Sequence, residues 1–181
     1  MVREYPSHPI VGVAAIVLYK GKVLLVKRAK PPAKGLWSPP GGLPEAGEPL
    51  EAAVKREIRE ETGIEIDVKM PIAIVDVNLK DENGAVKYHY VIMEFLASPL
   101  DTKLSSSSDA IEAKWFDIND LGNVRITRSF KLLMENVVNP FLRGEFCNVR
   151  AIKNFRYRAV DGYCTLSIYP LNIMPSDKTS F

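Results

Sequence analysis

Ile10 to Tyr19 is an almost unbroken apolar run, Lys20-Gly21 supplies a turn and Val23 to Arg28 returns, so residues 10–29 read as a hairpin. The first strand's composition predicts burial on both faces, as at the centre of a mixed sheet. Lys30 to Pro40 holds four prolines and one glycine and reads as a loop. Further on, Ile64 to Val68 predicts a short strand and Ile72 to Leu79 a longer one, followed by the turn Asp81-Glu82-Asn83-Gly84. In the returning run Val86 to Leu96, Tyr88, Tyr90 and Ile92 alternate with His89, Val91, Met93 and Phe95, the period of a strand. Ser98 to Asp109, with four consecutive serines, reads as a polar loop. Ile111 to Phe116 is a strand, and Asp117 caps a helical turn ending at Leu121. Thr127 caps a helix in which Phe130, Leu133, Met134, Val137, Val138 and Phe141 recur at core spacing, and Pro140 should end or kink it. Gly162 to Tyr169 alternates like one more strand.

Gly41 to Ile64 breaks this pattern, because a glycine loop there feeds a helix. Pro49 suits the first helical position and Gly63 the left-handed residue past the end. At about 100° per residue, Leu50, Ala53, Val54 and Ile58 share one face. Glu57 and Glu61 fall among them, with Glu60 at the edge, while Glu51, Lys55 and Arg59 already provide a salt-bridged solvent face. Three carboxylates therefore converge on the wrong side of an amphipathic helix. So placed, they repel one another or stay protonated unless a cation neutralises them. A hard divalent ion with oxygen ligands, Mg²⁺ or Mn²⁺, answers that need. On helix geometry alone, a solvated face in which these glutamates pair with Arg56 and Arg59 fits equally well.

Composition narrows the setting. With 181 residues, 46% hydrophobic and 25% charged, the chain can bury one substantial core. Two cysteines, Cys147 and Cys164, are too few for a disulfide framework. The longest apolar run is too short to span a bilayer and lacks a leader's basic region and cleavage site, so a cytoplasmic protein without a membrane partner is expected. The net charge of +2 does not point to nucleic acid, and its excess lies in the tail, where six basic residues face three acidic ones from Pro140 onward. Lys27 and Arg28 end the second strand near the coming loop, where either could reach a phosphate, Lys27 being the one expected to face solvent.

Gly42, five residues, Glu48, seven residues, then Arg56-Glu57-Ile58-Arg59-Glu60-Glu61-Thr62-Gly63-Ile64 resembles the complete signature of the Nudix hydrolases. The resemblance implies an α/β fold, a Nudix-type α/β/α sandwich around a mixed sheet over residues 1–142, with 143–181 as an extension of open role. It implies Mg²⁺, with Mn²⁺ as the alternative, held by Glu57, Glu60 and Glu61 and by the carbonyl of Gly41. Glu57, Glu60, Glu61, Arg56 and Glu112 form the expected catalytic set, Glu112 because it precedes Trp115-Phe116, with Asp109 second. Arg28, Gly42 and Glu48 form the expected substrate-binding set, Glu48 also pairing with Arg56 to hold the loop. Trp37-Ser38-Pro39-Pro40 departs from the family pattern, since Pro39 stands where an apolar anchor is common. The reaction so implied is hydrolysis of a nucleoside diphosphate linked to another group. Tyr88 to Phe95 is similar to the corresponding strand of enzymes that act on ADP-ribose, which points to AMP and ribose 5-phosphate as products. A triphosphate pyrophosphohydrolase that sanitises nucleotide pools and a non-cleaving nucleotide- or RNA-binding module are the alternatives, and a homodimer is compatible with each.

Overall fold

The computed structural model describes residues 3–105, 112–144, 152–159 and 162–171. Strand β1 (Ile10–Tyr19) turns at Lys20 and Gly21, both left-handed with φ of 46° and 76°, into β2 (Lys22–Lys27). Two left-handed residues match a tight hairpin turn to the strands' own twist. After the hairpin's end β2 leaves β1, pairing instead with β3 (Trp37–Ser38) and β7 (Glu112–Asp117), and β4 (Gly41–Gly42) lies beside Val13 and Ala14 of β1. On its other side β1 runs parallel to β6 (Val86–Pro99), Ile10 to Val17 facing Tyr90 to Ala97. The mixed sheet reads β3-β2-β1-β6-β5-β9-β8.

Period-two alternation along β1 assigns the two faces. Val13, Ala15 and Val17 pack with Ala53, Val54 and Ile58 of helix α1 (Leu50–Thr62). Ile16 and Leu18 pack on the opposite side with Phe130, Leu133, Met134, Val137 and Phe141. The result is the α/β/α sandwich expected. Pro49 proves to be the residue just before α1, in extended conformation, and Gly63 closes the helix with φ of 76°.

Three local expectations need correction. The two strands expected over 64–79 are one, β5 (Ile66–Lys80), continuous on β6 through register shifts between Val68 and Met70 and between Pro71 and Ala73. Proline lacks an N–H for the ladder and is tolerated at such an irregularity. Nor does Pro140 break the second helix. After α2 (Arg128–Leu133), capped by the Thr127 hydroxyl, the chain widens into a π turn over Met134–Val138 and continues as α3 (Asn139–Arg143). Widening displaces the normal acceptor pattern ahead of the proline, and the Asn136 side chain donates to the Leu132 carbonyl at 2.9 Å. Finally, Trp37 belongs to a two-residue strand and stands edge-on to Phe116 at 4.7 Å, which packs the proline loop down.

The tail joins the same sheet. β8 (Ile152–Ala159) and β9 (Gly162–Pro170) form an antiparallel pair, and β9 lies along β5 from Ala73 to Lys80. Cys164, Leu166 and Ile168 of β9 are fully buried. Cys147, Asp109 and the serines 106–108 lie outside the described residues. Among the described residues no helix is long and apolar enough to cross a membrane.

Candidate active site

The site begins where β4 lies against β1. A Cβ on Gly41 would fall on the Val13 carbonyl and within 2.6 Å of the Ala14 Cα, and a Cβ on Gly42 would fall on the Glu57 carboxylate. Both positions therefore require glycine: the loop touches the strand beneath it and the carboxylate above it. The loop amides hold the helix in turn. Gly41 N–H donates to Glu61 Oε2 at 2.9 Å and Leu43 N–H to Glu57 Oε1 at 3.2 Å.

Arg56 fastens the far side of the same loop. Its guanidinium donates twice to Glu48, from Nε at 2.9 Å and from Nη2 at 2.8 Å, and Nη2 also reaches the Leu43 carbonyl at 3.2 Å. Those two hydrogen bonds hold the Glu48 carboxyl down at about 2 and keep Arg56 firmly protonated. Its Nη1 lies 3.1 Å from Glu57 and 3.4 Å from Glu60. Glu57 is thus drawn in, 17% exposed, while Glu60 remains 54% exposed.

A cavity of about 630 Å³ opens beside the loop. Glu57, Glu60, Glu61 and Glu94 are the carboxylates on its wall. Glu94, Ile92, Tyr90 and Tyr88, alternate residues of β6, run along it, so the wall extends about 20 Å from Glu94 to Tyr88 at strand spacing. Glu94 is 6% exposed, its Oε2 has no hydrogen-bond partner, and burial pushes its carboxyl up to about 8. Arg28 lines the cavity too, largely buried with Nε unpartnered, and desolvation lowers its affinity for its proton.

Of the residues expected from sequence, Gly41, Gly42, Arg28, Glu57, Glu60 and Glu61 meet in this cavity. Arg56 and Glu48 stand behind its wall as the clamp just described. Glu112 is not brought in. It opens β7 directly across from Lys27, turned outward, 51% exposed and 3.9 Å from the Lys27 ammonium. Among the cavity residues that sequence reading missed is Glu94, whose one signal is a carboxylate inside the otherwise apolar Tyr90 to Ala97 run.

Among the described residues no three acidic, histidine or cysteine side chains are gathered as a preformed metal cage. The Arg56 guanidinium and the Gly41 and Leu43 amides occupy the carboxylate oxygens instead. The chemistry of the donors nonetheless fits a hard divalent cation, since the side chains able to ligate from the cavity wall are carboxylates, with neither imidazole nor thiolate beside them.

Helices on both faces of a mixed sheet, with a glycine loop stapled to a carboxylate-bearing helix at the mouth of a cleft, define the class of the protein: an α/β/α sandwich with an acidic cleft at its loop end. The chain belongs to the Nudix family, for the family's NUDIX domain model matches residues 7–134 of its 181. It is 39% identical over 136 residues to an ADP-ribose pyrophosphatase of Methanocaldococcus jannaschii, a match covering 75% of each chain. It is 33% identical over 123 residues to a putative nudix hydrolase of Caenorhabditis elegans, covering 66% of this chain and 32% of the relative. A crystal structure of a MutT NUDIX hydrolase from Burkholderia pseudomallei superimposes with a TM-score of 0.62 at 31% identity, over 71% of this chain and 98% of that one.

Proposed function

We propose that the protein hydrolyses a nucleoside diphosphate linked to another group, with ADP-ribose as the substrate, giving AMP and ribose 5-phosphate. The observation that carries this reading is the meeting of Glu57, Glu60 and Glu61 with the Gly41-Gly42 loop on the wall of a cavity that Arg28 also lines. The likeness to an ADP-ribose pyrophosphatase supports the choice of substrate.

Glu57, Glu60 and Glu61, with the carbonyl of Gly41, would hold Mg²⁺, with Mn²⁺ able to replace it. Such an ion, when bound, neutralises diphosphate oxygens and makes a nearby water more acidic. The chain's own groups do the rest. Arg28 meets the diphosphate from the β2 side. Arg56 keeps the Glu57 and Glu60 carboxylates aimed at the loop. Glu60, the most exposed of the three-carboxylate set, takes the proton as water oxygen bonds to phosphorus and the bond from phosphorus to the bridging oxygen breaks.

Incubation with ADP-ribose and Mg²⁺, with products separated by ion exchange, should yield AMP and ribose 5-phosphate and no pyrophosphate. Glu61→Gln should lower turnover at saturating Mg²⁺ by about 100-fold or more, with an unchanged far-UV circular dichroism spectrum. Near-normal turnover in that variant, or pyrophosphate released from triphosphates as the main reaction, rejects the reading.

A further inference from the structure

The cavity has a second charged end that the hydrolysis of ADP-ribose leaves unused. Arg3, from the segment ahead of β1, Arg128, the first residue of α2, and Arg158, on β8, all line it. Within the described residues none of the three forms an ion pair or a side-chain hydrogen bond. Arg128 rests its guanidinium 4.9 Å above the Phe155 ring, also on β8.

Sheet register locates Arg158 away from the carboxylates, and the Phe155 ring under Arg128 is on the same strand. Glu94 sits in one row with Ala14 and Gly41, at the catalytic loop. Tyr90 is in the row of Val77 and Leu166, which β9 passes on to Phe155. Tyr88 is in the row of Leu79 and Cys164, next to the row of Tyr163 and Arg158. At strand spacing, Tyr90 and Tyr88 lie about 13 and 20 Å along β6 from Glu94. Arg3 lines the same cavity as Tyr88, Tyr90 and Arg28. Beside these arginines the Tyr90 hydroxyl is buried without a partner, and the Tyr88 and Tyr90 rings lie nearly parallel 6.4 Å apart. Glu4 is nearby, but it accepts the Tyr88 hydroxyl and does not line the cavity.

Three guanidinium groups around one pocket repel one another until an anion offsets them, and a phosphate monoester offers the oxygens to pair with several at once. We propose that Arg3, Arg128 and Arg158 form an anion subsite that takes a phosphate monoester carried by the substrate at the end away from the anhydride that is cut. The substrates favoured are then nucleoside diphosphate derivatives with an additional phosphate on a ribose. The proposal rests on the hydrolytic reading for the orientation of the ligand. Arg3 and Arg158 lie outside residues 7–134, so the matched domain supplies only Arg128 and the subsite also needs the segment ahead of β1 and the β8–β9 hairpin.

The test is binding without turnover, by isothermal titration of the full chain with two pairs of probes: 2′,5′-ADP against 5′-AMP, and ribose 1,5-bisphosphate against ribose 5-phosphate. In at least one pair the second phosphate should tighten binding about tenfold, a gain typical of charge-assisted pairing. Arg158→Ala and Arg128→Ala should each remove most of that gain, and Arg158→Lys should keep part of it. Arg158 is exposed, so its variants leave the core untouched. No gain in either pair for the wild type, or a gain that survives both alanine variants, overturns the proposal. A gain that appears as expected in a protein inert toward ADP-ribose supports the subsite while rejecting the hydrolytic reading.

Discussion

Glu94 places a titratable group almost wholly out of solvent, 6% exposed on the cavity wall, and the energetic consequence follows from its environment alone. Unfolded, its carboxyl has the ordinary value of 4.5; folded, desolvation raises it to about 8. Between those limits the native state holds a proton that the unfolded chain has released, so stability falls as pH rises through the window. At pH 7 the loss is about 3 kcal/mol. Urea unfolding in the presence of a chelator should therefore show the wild type weakening from pH 5 to 8, and Glu94→Gln lacking that part of the decline. Equal slopes for both proteins would mean that Glu94 is ionised at no unusual cost. The helix glutamates and Glu94 differ in how far sequence reveals them. A 3.6-residue period fixes the face of Glu57 and Glu61 from their own helix. Along a strand, parity alone does not say which face is a cavity, and the neighbours that decide it for Glu94, Ala14 and Gly41, lie some 80 and 50 positions earlier in the chain.

At the scale of elements, the helix α1 and the loop before it act as one piece because Arg56 ties the helix to the loop at Glu48 and at the Leu43 carbonyl. Glu48→Ala removes the anchor without touching a cavity-lining group. Turnover of ADP-ribose should fall about 10- to 100-fold, as when an orienting partner of a metal-binding carboxylate is lost, with little change in the melting temperature. A large fall in melting temperature with normal turnover would instead make the clamp a stability device. Both ends of α1 were readable from Pro49 and Gly63, and the β1–β2 hairpin from its turn residues, because each signal is local. The joined strand β5 and the widened helix before Pro140 were not. Pairing with the distant β6 carries β5 past Pro71, and ahead of Pro140 the chain widens into a π turn in which the Asn136 side chain donates to the Leu132 carbonyl, so the helix runs on to Arg143.

For the whole molecule, the β8–β9 hairpin is part of the same core as the matched domain. Leu166, fully buried, packs in the cluster that holds Ile16, Leu25, Phe130 and Leu133. Leu166→Ala should cost about 3 kcal/mol and lower Tm by about 6–12 °C, in one cooperative transition seen alike by fluorescence and circular dichroism. Two separated transitions would show instead that the hairpin melts on its own. The alternation of residues 162–169 announced a strand, yet its partner could not be read, since β5 and β9 are joined by nothing in sequence and are paired by the sheet.

That pairing also orders events during synthesis. The outer edge of β5, from Ala73 to Lys80, has no strand beside it until Gly162 to Pro170 have been made. At 5–20 residues per second the nascent chain spends about 5–20 s with an open, largely apolar edge that neighbouring nascent chains could adopt as a template. Slowing of translation between those two segments would lengthen that exposure, and with it the demand for chaperones on the ribosome.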